Sequence, residues 1–388
     1  MKYPVINTHN NWSRLEEVWL GDVYPASWYD HLDPEIRDCF HKLTETTQED
    51  LNVIQKKIES FGVTVRRPHY NQIDNYMVKT PNGWVLEKPE ITPRDFYLTA
   101  GNDLFAIKPW RPDGPWQPFI QEYQQNLDCQ VHDVLHALHG SDIGLSGSNT
   151  VRCGRDIYFD LVHATDVRED FEKLLNQYNT HFAPLFKDYR VHLLFNGGHI
   201  DGCFSLLKPE CILATGYYTG YNETFPGWHV IGTKNPEFID DKRYLAGQLS
   251  PNPKWPAHNG KWYLPGMSTN KSFNEHIIQH AQDWVGDYTE TYFEVNCLVI
   301  DEKNVVVCGE NEKIFRALEQ QGITAHSVPF RTRTFWDGGM HCLTLDIRRQ
   351  SKIEDFFPER GNQLLFIHDD RHVKSLPDNS KYNNILKT

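Results

Sequence analysis

The sequence lacks the features of a membrane protein and of a secreted protein. No run of apolar residues approaches the roughly 18 residues that a membrane-spanning helix needs. The opening MKYPVINTHNNW has no apolar core of signal-peptide length. The eight cysteines form no CxxC pair, so neither a disulfide framework nor a metal-binding pair is indicated. We therefore expect a cytoplasmic protein with reduced thiols and no membrane contact.

Positive charge is also scarce. The 39 Lys and Arg residues are outnumbered by 52 Asp and Glu residues, and the formal charge of −13 argues against a nucleic-acid partner. The phosphate-binding patterns GxGxxG and GxxxxGK[ST] are absent, and the glycine-rich GLSGSN lacks the lysine of such a loop. We expect a soluble enzyme with no nucleotide cofactor, and a net acidic chain suits a cationic ligand.

A helix followed by a strand is the clearest local pattern, and it occurs twice. The segment IESFGVTV ends a helix at Gly62, for which Thr46 or Thr47 is the predicted N-cap, and enters a strand at 63–65. Near the other end, LEQQGITA repeats the order with a helix stop at Gly322. Such recurrence favours a pseudo-symmetric array of helix-plus-strand units within one domain.

Further elements follow the same alternation. Apolar spacing predicts a helix over 171–178, before a strand at 191–195. A capping box at Ser272 and Glu275 predicts another helix, before a strand at 292–300. We expect residues 1–388 to form a single catalytic α/β domain in which 350–388 is a polar peripheral tail.

The stretch FWDGGMHCLTLDIRR carries the strongest chemical pattern. Gly338 and Gly339 allow a sharp turn, and the alternation that follows indicates a strand that presents Cys342 at its start. A cysteine in that position suits a nucleophile. Taken alone, a buried structural cysteine is the commoner case.

Two other stretches favour catalysis. NGGHIDGCF places His199 and Asp201 two residues apart, and TPRDFYLTAGND places Arg94 and Asp95 before another turn. A cysteine with a distant histidine and carboxylates, none of them in metal-ligand spacing, is the pattern of a covalent enzyme assembled from separate parts of a fold.

These segments resemble those of a known family. GGMHCLTLDIRR resembles the nucleophile segment of the amidinotransferases, HIDGCF their histidine segment and TPRDFYLTAGNDL their first guanidinium-binding segment, while VRCGRDIYF is a fourth shared stretch. The order along the chain is also that of the family. The resemblance implies a pentein-type fold, a five-bladed pseudo-symmetric α/β propeller with the active site on its central axis. A homodimer is possible.

The resemblance also implies the chemistry. Cys342 would attack the central carbon of a guanidino donor, with L-arginine as the first candidate, and Asp95 and Asp201 would bind the guanidinium group. His199 would protonate the departing amine and later deprotonate a primary-amine acceptor. This gives ping-pong kinetics through an amidino-cysteine intermediate, with small-molecule partners and neither a cofactor nor a metal.

The sequence departs from the family at two places. The family's carboxylate that orients the histidine falls at Ser146, so Asp142 or Asn149 is a candidate substitute, and Asn149 is also a candidate substrate-binding residue. The family's arginine for the donor carboxylate falls near Tyr218. Two alternatives stay open. One is a hydrolase of the same superfamily, a deiminase or dihydrolase in which water replaces the amine, and the other is a guanidino-compound binding protein without catalysis.

A histidine motif that could bind a metal and two stretches rich in aromatic residues remain to be interpreted. In VHDVLHALHG, His132, His136 and His139 would share a helix face, which we interpret as a solvated face rather than a metal site. The stretches 107–119 and 226–266 are dense in Pro, Gly and Trp. They suit lids over a pocket, although ordinary surface insertions fit equally well.

Overall fold

The computed structural model describes residues 6–81, 83–107, 114–125, 129–133, 146–160, 180, 183–195, 199–214, 220–232, 270–281, 284–285, 294–336, 338–361 and 366–368. The strands are β1 (Leu15–Leu20), β2 (Thr64–Arg66), β3 (Met77–Thr80), β4 (Gly83–Leu86), β5 (Tyr97–Ala100), β6 (Asp103–Ala106), β7 (Gln130–Asp133), β8 (Thr150–Cys153), β9 (Asp156–Asp160), β10 (Arg190–Phe195), β11 (Phe204–Lys208), β12 (Cys211–Ala214), β13 (His229–Gly232), β14 (Leu298–Asp301), β15 (Asn304–Cys308), β16 (Thr324–Val328), β17 (Thr344–Arg349) and β18 (Phe366–His368).

Helices connect these strands. The α-helices are α1 (Pro34–Glu59), α2 (Gln117–Gln124), α3 (Tyr221–Thr224), α4 (Lys271–His280), α5 (Glu312–Gln320) and α6 (Arg333–Trp336). Short 3-10 helices lie at Ala26–Tyr29, Ile73–Tyr76, Pro93–Asp95, Ala183–Phe186, Ile200–Gly202 and Pro358–Arg360.

One strand order recurs in five small sheets. In β5-β6-β7, β8-β9-β10, β11-β12-β13 and β14-β15-β16, two antiparallel strands are followed by a third strand parallel to the second. The fifth sheet joins the two ends of the chain, because β17 takes the first place beside β1, and β2 lies parallel to β1. A parallel neighbour needs a crossover connection, and α1, α2, α3 and α5 lie in four of these connections.

The predicted mixed α/β class is confirmed. The remaining described strands are additions to the repeated units: β18 pairs parallel to β10, and β3 and β4 form a separate two-stranded hairpin.

The sheet containing β17 is buried on both faces. Along β1, Val18 and Leu20 pack into one apolar cluster while Trp19 between them packs into another with Leu345 and Ile347 of β17. Because side chains alternate across a strand, this places core on either side of the sheet. The strand that follows Cys342 is therefore held rigidly from two directions.

The paired helix-and-strand pattern is confirmed, but the start of the first helix is not. Gly62 and Gly322 both have positive φ, +78° and +73°, and they lie three and two residues after the ends of α1 and α5. Thr47, predicted as an N-cap, instead lies within α1, which begins thirteen residues earlier at Pro34. Its hydroxyl donates to the carbonyl of Leu43, as an interior threonine can.

Three other local predictions were wrong in part. Helix α4 is capped by Asn270, whose side chain accepts from the backbone N–H of Phe273, rather than by Ser272. The strand predicted at 292–300 begins at Leu298. His132 lies in strand β7 rather than on a helix, while His136 and His139 fall outside the described residues. The predicted helix over 171–178 also falls outside them.

The segment predicted as a polar tail begins as part of the body. Phe357 is buried in an apolar cluster, and Arg360 donates to the hydroxyl of Tyr158 at 2.7 Å. Residues 369–388 fall outside the described residues. The polar composition of the segment hid the aromatic pair Phe356-Phe357, which anchors it.

The predicted lid stretches give a mixed result. Trp116 is fully buried and stacks on Trp19 with ring centroids 4.3 Å apart, so the end of the first stretch is core. Trp228 packs edge-on against Trp12 at 5.9 Å. Trp110, Trp255 and Trp262 lie outside the described residues.

Two properties concern the chain as a whole. No helix in the described ranges is both long enough and apolar enough to cross a bilayer. All eight cysteines lie in those ranges, and each is buried without a disulfide.

Candidate active site

Cys342 lies in a tight turn directly before β17. The backbone N–H of Leu343 donates to the carbonyl of Gly339 at 3.1 Å, and the Thr344 hydroxyl donates to the carbonyl of Met340 at 2.7 Å. These bonds hold the turn that the two glycines permit. The Cys342 side chain is only 2% exposed.

Asn296 contacts this turn from the segment before β14. Its Oδ1 accepts from the backbone N–H groups of His341 at 2.9 Å and Cys342 at 3.1 Å, and its Nδ2 donates to Cys342 Sγ at 2.9 Å. A Cβ atom at Gly339 would lie 2.7–2.8 Å from Asn296 atoms, so only glycine permits this approach.

Asp201 also contacts the sulfur. Its Oδ2 accepts from His341 Nδ1 at 2.8 Å and from Cys342 Sγ at 3.4 Å. The carboxylate sits in the 3-10 helix Ile200–Gly202 and is 1% exposed. The structure thus brings together Asp201 and Cys342, which are 141 residues apart in sequence.

The charges of this pair follow from its surroundings. Burial lowers the pKa of His341 to about 4, and the Arg94 guanidinium acts in the same direction, so the imidazole is neutral at pH 7. Burial alone would raise the pKa of Asp201, but the hydrogen bond from His341 and the neighbouring His199 and Arg94 hold it below its usual value. A charged Asp201 therefore accepts from a neutral His341 that carries its proton on Nδ1.

The three predicted substrate-binding residues share one property. Asp95 Oδ1, Asn149 Oδ1 and Asp201 Oδ1 are buried atoms without a hydrogen-bond partner in the described part of the protein. Backbone bonds join their segments: Gly147 N donates to Arg94 O at 2.9 Å, and Asp201 N donates to Ser148 O at 3.2 Å. A ligand that donates hydrogen bonds could satisfy each of these acceptors.

His199 directly precedes the helix that carries Asp201. Its side chain is exposed and lies within electrostatic range of Asp201, whose pKa it helps to lower. Ser146, at the position of the family's carboxylate, shares a hydroxyl–hydroxyl hydrogen bond of 2.5 Å with Ser148. Asp142 and Tyr218 lie outside the described residues.

Below the site lies a group that we call the Asp346 cluster, formed by Asp346, Arg94, Arg152 and Arg349. Arg94 Nη2 donates to Asp346 Oδ1 at 2.5 Å, Arg349 Nε donates to Oδ2 at 2.8 Å, and Arg152 Nη2 donates to Oδ2 as well. All four side chains are at most 2% exposed. Burial alone would raise the pKa of Asp346, but the three guanidinium groups hold it well below its usual range.

The Asp346 cluster explains why three of the segments that resemble the amidinotransferases lie together. Arg94 comes from TPRD, Arg152 from VRCG, and Asp346 and Arg349 from LDIRR. Arg94 Nε also donates to the carbonyl of His341 at 2.8 Å, which links the cluster to the turn that holds Cys342. One buried carboxylate therefore fixes three segments around the candidate nucleophile.

The sequence reasoning missed the roles of Asn296 and of the cluster. No local signal marks Asn296, because its partners lie 45 and 46 residues away. The charged residues of LDIRR resemble exposed strand positions, and only their pairing with one another makes their burial tolerable.

Comparisons with known proteins were made with this geometry in hand. No family model matches the chain. The mitochondrial glycine amidinotransferase of Gallus gallus is 23% identical over 411 aligned residues, which cover 90% of this chain and 84% of that protein. The L-arginine:L-lysine amidinotransferase of Pseudomonas savastanoi pv. phaseolicola is 22% identical over 400 residues, covering 90% and 96%.

Solved structures show the same relationship in the fold. The inosamine-phosphate amidinotransferase StrB1 of Streptomyces griseus superposes with a TM-score of 0.61 at 16% identity, covering 91% of this chain and 99% of that one. SxtG, an amidinotransferase of Microseira wollei in the saxitoxin biosynthetic pathway, gives 0.59 at 20% identity with the same coverage. The resemblance to the amidinotransferases that the sequence segments indicated is confirmed over most of the chain.

Proposed function

We propose that the protein is an amidinotransferase that moves an amidino group from a guanidino donor, with L-arginine as the first candidate, to a primary amine. The similarity to amidinotransferases along nine-tenths of the chain supports this reaction class. The observation that carries the proposal is the set of buried, unpartnered oxygens on Asp95, Asn149 and Asp201. A guanidinium group is planar, cationic and rich in N–H donors, so it offers the donors that such oxygens lack.

The contact between Cys342 and Asp201 explains how the nucleophile would be activated. Without a ligand, the thiol donates toward the charged Asp201 oxygen, and a nearby negative charge disfavours the thiolate. A bound guanidinium group would neutralise that charge and favour loss of the thiol proton. Binding of the donor thus promotes the attack of Cys342 Sγ on its central carbon.

The proposed first half-reaction forms one bond and breaks one. Cys342 Sγ attacks the central carbon, and the bond from this carbon to the substituted nitrogen breaks as its electron pair moves to that nitrogen. The thiol proton reaches the departing amine through His199, leaving an amidino group on sulfur. In the second half, His199 takes a proton from the incoming amine as its nitrogen displaces the sulfur, and the thiol is restored.

The arrangement of the repeated units belongs to the same proposal. Five sheets with one strand order, the last closed by β17 and β1, suit a five-bladed propeller with Cys342 near its axis. Eight buried cysteines without a disulfide suit the reducing cytoplasm. We also retain a single domain and a homodimer as parts of this proposal.

Product analysis tests the function directly. The protein is incubated with guanidino-labelled L-arginine and a panel of amines that includes glycine and L-lysine, and the products are identified by mass spectrometry. We expect ornithine and a labelled amidino product whose yield depends on the amine. Conversion of arginine to citrulline, or to ornithine with ammonia and carbon dioxide, at a rate indifferent to every amine would instead establish the hydrolase alternative.

A further inference from the structure

Asn296 is held in a single orientation by the backbone of the cysteine turn. Its side-chain oxygen accepts from two backbone N–H groups, those of His341 and Cys342. An amide side chain has one oxygen, so these two donors determine which end of the group faces them. The amide nitrogen must then point at Cys342 Sγ, which lies 2.9 Å away.

We propose that Asn296 is a catalytic residue whose Nδ2–H group stabilises the Cys342 thiolate and fixes the direction in which the sulfur points. This role deepens the proposed amidinotransferase function and rests on it. Asn296 is 1% exposed, so water does not compete strongly for its amide.

Asp201 and Asn296, which both contact the sulfur, have opposite effects on its protonation. Asp201 accepts from the thiol and so favours the protonated form, whereas Asn296 donates and favours the thiolate. When the proton leaves, the bond from Asn296 becomes charge-assisted and stronger. The interaction with Asp201 turns repulsive until a cation screens it. Asn296 therefore helps to keep the sulfur in place while its charge changes.

The same contact serves the second half-reaction. When the carbon–sulfur bond breaks, the electron pair returns to sulfur, and an N–H group already aimed at this atom receives the negative charge. Preorganised donors of this kind need no rearrangement at the moment of reaction. The close approach at Gly339, where a Cβ atom would meet Asn296 at 2.7–2.8 Å, keeps the amide at this distance.

Asn296→Asp is the sharpest test because it changes chemistry and preserves shape. One carboxylate oxygen can still accept from both backbone N–H groups, while the other places an acceptor where the sulfur had a donor. The rate of iodoacetamide alkylation of Cys342 is measured against pH without substrate, by mass spectrometry of the peptide that contains Cys342. We expect the pH midpoint to rise by about one to two units, and alkylation at pH 7 to slow about ten- to hundred-fold.

Two further variants complete the design. Asn311→Asp is the matched control, because Asn311 caps α5 and aspartate caps helices equally well, and its Cys342 midpoint should equal that of the wild type. In Asn296→Ser the side chain is too short for its hydroxyl to reach the sulfur, so the pH midpoint of Cys342 alkylation should rise by about one unit. This variant provides the test if Asn296→Asp does not fold.

The outcome is independent of turnover. Wild-type midpoints in folded Asn296 variants would overturn the proposal for this residue even if the enzyme transfers amidino groups. A raised midpoint in a protein that transfers nothing from any guanidino donor would support the role of Asn296 and refute the proposed function.

Discussion

Replacing Asp346 with asparagine removes the only carboxylate that three buried arginines share within the Asp346 cluster. The change is isosteric, so no cavity forms, but Arg94, Arg152 and Arg349 lose their countercharge at positions that are at most 2% exposed. Removing one partner of a buried ion pair typically costs about 3–5 kcal/mol. The entropy of unfolding is about 2.1 cal/mol/K per residue, or about 0.8 kcal/mol/K for 388 residues. The midpoint of thermal unfolding should therefore fall by about 4–6 °C.

Calorimetry of Asp346→Asn and of a surface control measures this effect. Asp38 is 67% exposed and pairs with Arg37, so Asp38→Asn should change the midpoint by no more than about 1 °C. Because Arg94 also donates to the His341 carbonyl, Asp346→Asn should lower kcat by about ten- to hundred-fold through displacement of Cys342. Wild-type stability and wild-type kcat in Asp346→Asn would show that the cluster neither stabilises the fold nor positions the turn.

Two further predictions concern the charges of the pocket. Asp95→Asn and Asp201→Asn should each weaken donor binding or slow the first half-reaction about ten- to hundred-fold, as a charge-assisted bond becomes neutral, while exposed Asp74→Asn should not. Pre-steady-state kinetics with arginine checks this, and wild-type values for either variant would make that carboxylate structural. The folded-state pKa of His341 is about 4, below the usual 6.5, so the unfolded chain binds the proton more readily. The stability that the buried neutral imidazole contributes is therefore lost as pH falls from about 6.5 to about 4. Urea unfolding measures how the free energy of unfolding changes between about pH 6.5 and about pH 4. The decrease should be larger for wild type than for His341→Gln, by up to about 3 kcal/mol, and equal decreases would contradict a buried neutral imidazole.

The parts of the site that the sequence predicted are those carried by contiguous segments. The turn before β17, the strand β10 and the strands after Gly62 and Gly322 all follow from local glycine and apolar patterns. The prediction that Asp201 and Cys342 belong to one site rested instead on the family resemblance, and the hydrogen bond between them was not predicted, since no local rule places residues 141 positions apart side by side.

The missed features depend on contacts between distant segments or on weak local signals. Asn296 acquires its role only when the turn at Cys342 folds against it. The true start of α1 had a signal, because Asp33-Pro34 places proline at the first helical position, but the threonines at 46 and 47 offered a competing cap. Trp116 looked like a lid residue because it follows a Pro- and Gly-rich stretch, yet its burial against Trp19 is decided by tertiary packing.

The most direct test of the account is the identity of the atom that carries the amidino group. Wild-type protein is mixed with L-arginine alone, quenched in acid, and analysed by intact and peptide mass spectrometry. We expect one amidino adduct on the peptide that contains Cys342, its disappearance when an acceptor amine is added, and neither adduct nor turnover in Cys342→Ala, whose fold is retained. An adduct on any of the other seven cysteines, or a Cys342→Ala protein that turns over arginine, would contradict the account.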